Sequence, residues 1–291
     1  MKRPVGWQLG PEPPVDDVHR LLGGVDAAFG NVVEKSQSDV RHLLADGSAW
    51  WAYDVAGVLC GVALTVPHEE CVLAVDVDQL ARPLLLAQGA ALLDEALSAG
   101  ASLWLPTRDR DGEAVAKRLG LIPEYTDLQM RTHTTAGAPG QAPSGTRLRE
   151  FDASASALQD VHDLVCAAWG VEDHWSAFLE RFGQSAREPR LWVLLESAGG
   201  ELLAACFGDI QELGDGRFGV VRHLDVAPAA RRSGLGSWAL TELLGRFARA
   251  GLAEAQLGVH EENVSAAPAL YASLGWSVVS SQRKWIRSLP G

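Results

Sequence analysis

The hexapeptide Arg231-Arg232-Ser233-Gly234-Leu235-Gly236 lies between a strand-like run, Phe218 to Val226, and a helix-like run, Leu235 to Ala250. Glycine has no Cβ, so residues 234 and 236 let backbone N–H groups come close to a ligand. A helix start adds unpaired N–H groups and a partial positive charge, which suit a pyrophosphate. The arginines add charge and forked donors. Strand, glycine-bearing turn and helix together point to a phosphate-bearing cofactor. The plainer alternative is a tight turn that binds nothing. No Gly-Lys-Ser/Thr follows, so this is not a Walker A loop. A third glycine is missing, so it is not the dinucleotide fingerprint either.

The surroundings add to this. His223-Leu224-Asp225-Val226-Ala227-Pro228 reads as a strand ended by proline, which cannot donate to a ladder. A second strand, Ala255 to His260, comes next, then Asn263, a short helix with Leu270-Tyr271, and Leu274-Gly275-Trp276. On these residues the chain resembles the GNAT acyltransferase superfamily. The superfamily's signature is a strand ending Leu-x-Val-x-Pro, Arg/Gln-x-x-Gly-x-Gly/Ala, a long helix, a strand, and Asn…Ala…Leu-Tyr…Gly-aromatic. Leu224, Val226, Pro228, Arg231, Gly234, Gly236, Asn263, Ala266, Leu270, Tyr271, Gly275 and Trp276 fall in that order.

The resemblance implies direct transfer of an acyl group from acetyl-CoA, or another acyl-CoA, to an amine, with no metal. It implies that the amides at Arg232, Gly234, Leu235 and Gly236, with Arg231 nearby, hold the pyrophosphate. Leu224 and Val226 would pair with pantetheine through their backbones, and Asn263 would contact the same arm. Tyr271 would be the general acid; the plainer reading is a helix-face aromatic whose hydroxyl meets water. The chain departs from the pattern at the general base. The positions four and two residues before the strand leucine hold Val220 and Arg222, neither of which accepts a proton at neutral pH. His260, Glu212, Asp215, Glu172, Asp173 and His174 are the candidates from nearby loops and strand ends. His223 and Asp225 are also close, but alternation turns them to the opposite face unless a bulge re-aims them. Arg222 could instead hold a substrate carboxylate, and Glu172 and His174 border the expected acceptor region.

Composition fits a globular enzyme: 47% hydrophobic and 21% charged residues over 291 positions, enough for two domains. A net charge of −12 argues against a nucleic-acid partner and is compatible with a small-molecule amine. No apolar run has membrane-spanning length and the N-terminus lacks a signal-peptide core, so a cytoplasmic location with no membrane partner is expected, as a monomer or homodimer. Cys60, Cys71, Cys166 and Cys206 have no C-x-x-C spacing, so reduced and mostly buried thiols are expected. The excess of arginine and the wealth of alanine and glycine resemble a GC-rich, actinobacterial genome.

Thr132 to Gly145 lacks apolar periodicity and reads as a linker. After it come a strand (Arg147 to Phe151), helices (Ala153 to Ala168, Ser176 to Phe182), a hairpin (Leu191 to Leu195 with Leu202 to Ile210), the signature elements, and closing strands (Ser277 to Ile286). The first half repeats the plan. It has a helix at Asp16 to Phe29, a hairpin at Ala49 to Val55 and Val58 to Val66, and a strand at Val72 to Val77. A helix at Leu84 to Ser98, a strand at Ala101 to Leu105 and a helix at Glu113 to Leu119 follow. The expected fold is therefore α/β with mixed sheets, two GNAT-type domains in tandem at 1–131 and 146–291. Each would be a twisted, mostly antiparallel sheet flanked by helices. The first half has Asp78-Gln79-Leu80-Ala81-Arg82-Pro83 where the glycines belong, so it is expected to be silent. In layout the tandem is similar to the mycothiol synthase family, which acetylates the cysteinyl amine of a pseudodisaccharide. Two other classes stay open: a non-catalytic acyl-CoA-binding module, and a tandem aminoacyl or peptidyl transferase with a tRNA donor.

Overall fold

A computed structural model describes residues 6–8, 13–29, 48–65, 70–135, 140–170, 172, 175–182, 188–213, 216–262 and 266–287. Two compact units are present: 1–129 with 259–268 and 278–291, and 130–258 with 269–277.

The first unit holds β1 (Gly6–Gln8), α1 (Val15–Ala28), β2 (Ser48–Tyr53), β3 (Leu59–Thr65), β4 (Glu70–Val75), α2 (Arg82–Leu92), α3 (Asp94–Ser98), β5 (Ser102–Pro106), α4 (Arg110–Arg118) and most of β6 (Leu121–His133). The second holds the end of β6, β7 (Thr146–Arg149), α5 (Ala155–Trp169), α6 (Trp175–Phe182), β8 (Trp192–Ser197), β9 (Leu202–Leu213), β10 (Gly216–Val226), α7 (Leu235–Arg249), most of β11 (Glu254–His260) and most of α8 (Ala267–Ser273). Nearly all of β12 (Ser277–Arg287) lies in the first unit.

Within the first unit the strand order is β1-β2-β3-β4-β5-β12-β6, with β4 and β5 parallel. Within the second it is β11-β10-β9-β8-β7, with β10 and β11 parallel and the other pairs antiparallel. The plan is the same in both: an antiparallel meander, a helical crossover and one parallel pair at which the order changes.

The closing strand differs from its sequence assignment to the second half. β12 pairs with β5, Trp285 opposite Leu103. Its indole is 2% exposed in the first unit's core, with Leu86, Leu93, Leu103 and Leu105. Burying a Trp outweighs any local preference, so the tryptophan decides the sheet. A separate cluster packs α1, through Val18, Leu21, Leu22 and Val25, on Val62, Leu64 and Ala74. In the second unit Phe151, Val161, Leu164, Phe178, Trp192 and Phe207 form the core under α5 and α6. Among the described residues, no helix is long and apolar enough to cross a membrane.

In the first unit the turn from β4 to α2 is closed by its own side chains. Arg82 sits at the start of α2, 5% exposed, and its Nε donates to the Val75 carbonyl at 3.2 Å. Its two terminal nitrogens form a fork on the carboxylate of Asp109, at 2.9 and 2.6 Å. Asp109, 3% exposed, also caps α4 by accepting from the Gly112 amide. One ion pair therefore ties the ends of β4, α2 and α4 together. Loop amides are used internally as well: Gln79 donates to the Asp76 carbonyl and Asp78 to the Asp76 carboxylate.

Removing one partner of a buried pair leaves the other charged and unsolvated. Arg82→Leu should therefore lower the unfolding free energy by about 3 kcal/mol or more, read by urea denaturation. The thiols give a second expectation. Burial, aided by nearby carboxylates, pushes Cys60 and Cys71 up to about 11. The folded state then keeps protons that an unfolded thiol loses near about 8.5. Stability contributed this way is complete below that pH and falls as pH rises towards 11. Native protein at pH 8 should be alkylated first at the partly exposed Cys166, as peptide mapping would show.

Candidate functional site

The site in the second unit begins where two neighbouring strands part. β10 and β11 pair at Gly219 with Ala255 and at Val220 with Gln256, while β10 runs on to Val226 and β11 to His260. Within this short ladder α7 is clamped to the sheet by Phe247, whose ring lies directly on Gly219. A Cβ on Gly219 would come 2.5 Å from that ring. Beyond Val220 the β10 edge has no ladder partner in β11. Ala227 donates to the Leu203 carbonyl at 2.9 Å, on the β9 side. Alternation turns the amides of Val226 and Leu224 to the parted side.

Past Val226 the chain makes a short 3-10 turn, Pro228–Ala230, and enters the arginine–glycine loop. Arg232 has φ 64° and Gly234 φ 84°, both left-handed, so the backbone curls before α7 starts at Leu235. Among the described residues, no backbone carbonyl accepts from the amides of Arg232 to Gly236. These orphan donors sit at the positive end of a 15-residue helix, where an anion is favoured.

Opposite the loop, Leu270 on α8 faces Gly236 together with Leu224 and Val226. A Cβ at Gly236 would meet those side chains at 3.5–3.9 Å, which is ordinary contact, so an alanine fits there. The next residue, Tyr271, is 8% exposed. Burial above all, then the nearby Cys206 and Asp225, pushes its phenol well above the usual 10. Tyr271 is thus a fixed hydrogen-bond donor at neutral pH. Its ring packs against Trp276 at 6.1 Å, and the buried indole N–H of Trp276 meets no partner among the described residues.

Residues 158–276, which contain this whole arrangement, match the Acetyltransferase (GNAT) family. This segment is a GNAT acetyltransferase domain. A GCN5-related N-acetyltransferase from Sphaerobacter thermophilus superposes with TM-score 0.75 at 18% identity, over 94% of this chain and 93% of that one. A tandem GNAT protein from the clavulanic acid biosynthesis pathway gives 0.62 at 14% identity, over 95% of each chain. The GCN5-related glucosamine N-acetyltransferase region of a fungal multi-domain GH3 β-N-acetylglucosaminidase gives 0.65 at 11%, over 98% of this chain and 38% of that one. At these identities the structures share a fold. No curated protein sequence matches the chain. The GNAT fold supports acyl-CoA-dependent N-acyl transfer in general.

Of the sequence-derived GNAT residues, Leu224, Val226, Arg232, Gly234, Leu235, Gly236 and Tyr271 converge on the parted strands and the loop. Arg231, expected beside the diphosphate, also braces the loop. Its guanidinium donates to the carbonyls of Val226 at 3.2 Å and Ala168 at 2.5 Å, bracing the loop against the end of α5. Glu212 does not converge. It is exposed opposite Arg217 in the β9–β10 hairpin, paired at 3.2 Å, and seven residues of strand, about 23 Å, separate Arg217 from Leu224. His260 lies in the first unit, stacked on Tyr125 at 4.0 Å. Glu172 is exposed. Asn263, His174, Asp173 and Asp215 lie outside the described residues.

Alternation alone misplaced the stretch around Arg222. The pairing of β10 with β9 shifts between Val221 and His223, leaving Arg222 as the extra residue of a bulge. Arg222 turns to Asp209 at 2.7 Å. Past the bulge, His223 and Asp225 face α5 and form a network with Trp169 that the sequence reading did not contain. Nδ1 of His223 lies 2.6 Å from one Asp225 oxygen, and the indole of Trp169 donates to the other at 2.8 Å.

Two glycine substitutions should separate strain from crowding. Gly234→Ala meets open space but a left-handed backbone, and should cost about 1 kcal/mol. Gly219→Ala must displace Phe247 and should cost about 2 kcal/mol or more. Equilibrium unfolding of both variants gives the comparison.

Proposed function

We propose that the protein N-acetylates a primary amine of a small molecule, taking the acyl group directly from acetyl-CoA at the site in the second unit. The observation that carries this reading is the run of unengaged amides, Arg232 to Gly236, at the start of α7, next to the exposed edge of Leu224 and Val226. The residues present fit such a donor. The loop amides and helix terminus suit a diphosphate, and a strand edge suits an amide-bearing arm. When bound, the donor supplies an activated thioester carbonyl. The edge amides polarise the carbonyl oxygen, and Tyr271 directs its O–H towards the departing sulfur. The amine must attack as the neutral base, which requires a proton acceptor.

The first unit has the same strand plan, but its turn is filled by Arg82 and Asp109, and the amides of Asp78, Gln79 and Arg82 are engaged within it. One donor site per chain is therefore the reading. A small amine acceptor agrees with the amino sugar named for the glucosamine N-acetyltransferase region, and the net charge of −12 suits a cationic amine better than a polyanion.

The test is thiol release from acetyl-CoA against a panel of amines, with binding followed by calorimetry. One donor should bind per chain. Gly234→Asp should abolish binding by setting a carboxylate against the diphosphate. Tyr271→Phe should lower turnover at least tenfold with affinity unchanged. Normal affinity in Gly234→Asp would refute the site. Binding without thiol release for any amine, unchanged in Tyr271→Phe, would make the protein an acyl-CoA-binding module.

A further inference from the structure

On one face of the first unit's sheet a carboxylate is left without a cation. Trp285 of β12 is buried against the core, opposite Leu103. Alternation therefore puts the next pair, Lys284 opposite Trp104 of β5, on the other face. On β6 the buried Thr126 takes a hydrogen bond from Arg283, on the core side, so Tyr125 and Asp127 share the face of Lys284 and Trp104. The same face carries α1 over β3 and β4, where Val72 lies at the margin of the α1 cluster and is paired with Trp104.

The ring of Tyr125 is held from three directions. His260 stacks on it at 4.0 Å and 26°, Trp104 meets it edge-on at 5.7 Å, and the Lys284 ammonium lies 5.3 Å from its centroid. Lys284 is neutralised by Glu124 at 2.9 Å. Asp127 has no such partner. One of its oxygens accepts from the Gln129 amide at 3.0 Å, and among the described residues no cation pairs with it and no donor reaches the other oxygen. Burial raises its carboxyl above the ordinary value, in spite of His260 nearby and the bond from Gln129. The charged form is therefore the one that lacks support.

The groups around Asp127 are also unengaged. His260 is exposed, and neither of its ring nitrogens makes a hydrogen bond among the described residues. The same holds for the phenol of Tyr125 and the indole N–H of Trp104. Glu124 and Lys284 cancel, so the unmatched charge on this face is that of Asp127. An anion would meet that carboxylate head-on, and a neutral polyol would leave its charge unmatched. An ammonium brings a compact positive charge and three donors, and its hydrogen bond to a carboxylate is charge-assisted. The fixed rings offer flat apolar surface to the carbon frame that carries it.

We propose that this face of the first unit binds a small primary amine as its ammonium, held by the free oxygen of Asp127 and bordered by His260, Tyr125 and Trp104. The site is built from residues of the first unit alone and does not rest on the donor reading of the second.

The chain has three tyrosines, so fluorine NMR of fluorotyrosine-labelled protein reads Tyr125 in this cluster, Tyr53 beside α1 and Tyr271 in the second unit. The probes are glucosamine and phenethylamine at millimolar concentration, each with its N-acetyl derivative as the uncharged counterpart. At least one amine should shift the Tyr125 resonance saturably with Tyr53 unmoved, and its N-acetyl derivative should not. Asp127→Asn should weaken that response at least tenfold, with Tyr53 and Tyr271 at their wild-type positions as the sign of an intact fold. No shift of Tyr125 by either amine overturns the proposal. So does a shift confined to Tyr271, which would put the amine in the second unit. An equal shift from the N-acetyl derivative, or affinity in Asp127→Asn within twofold of wild type, removes the carboxylate as the partner and overturns it too.

Discussion

The structure of the second unit turns on unsatisfied backbone. A parallel pair that opens after one short stretch of ladder exposes N–H and C=O groups that neither strand can pair, and burying such groups without a partner costs free energy. The surrounding features hold that opening in place. Phe247 on Gly219 pins α7 next to the last paired position, Val220. The bulge at Arg222 breaks the register where the strands separate. The left-handed residues at 232 and 234 bring α7 round so that its own unpaired amides face the same space. Together they make an elongated slot with an anion-favouring end, a shape that a diphosphate with a peptide-like arm completes.

The two units solve one problem in two ways. Both have a meander, a crossover helix and a parallel pair. In the first, the guanidinium of Arg82 fills the turn and takes up the Val75 carbonyl, and Asp109 takes up the charge. In the second, the equivalent turn carries Gly234, with no side chain to fill it, and its donors are left for a ligand. A buried ion pair is weak support for stability in general. Here it links three element ends in a unit whose opening has no ligand to close it.

Much of this was legible in the sequence. β10, α7 and β11 lie within two residues of the runs Phe218 to Val226, Leu235 to Ala250 and Ala255 to His260. Glycine, proline and apolar spacing are local signals, and these elements are locally determined. Three features were not legible. The strand Leu121–His133 has Pro123 and several charges, so its alternation of Thr126, Leu128 and Met130 was hidden. The partner of β12 depends on where Trp285 finds a core, which no local pattern states. The bulge depends on pairing with β9, so the network of His223, Asp225 and Trp169 comes from contacts 56 residues apart in sequence. Arg231 illustrates the same limit. Its place in the signature was plain, but its bond to Ala168 was not.

The claim on which the account rests is that backbone amides of the second unit receive the acyl donor. Hydrogen exchange followed by mass spectrometry, with and without saturating acetyl-CoA, tests it most directly. Slower exchange across 222–226 and 232–237, with 76–83 unchanged, is the expected result. Protection confined to 76–83, or no protection while the donor is bound, would contradict it.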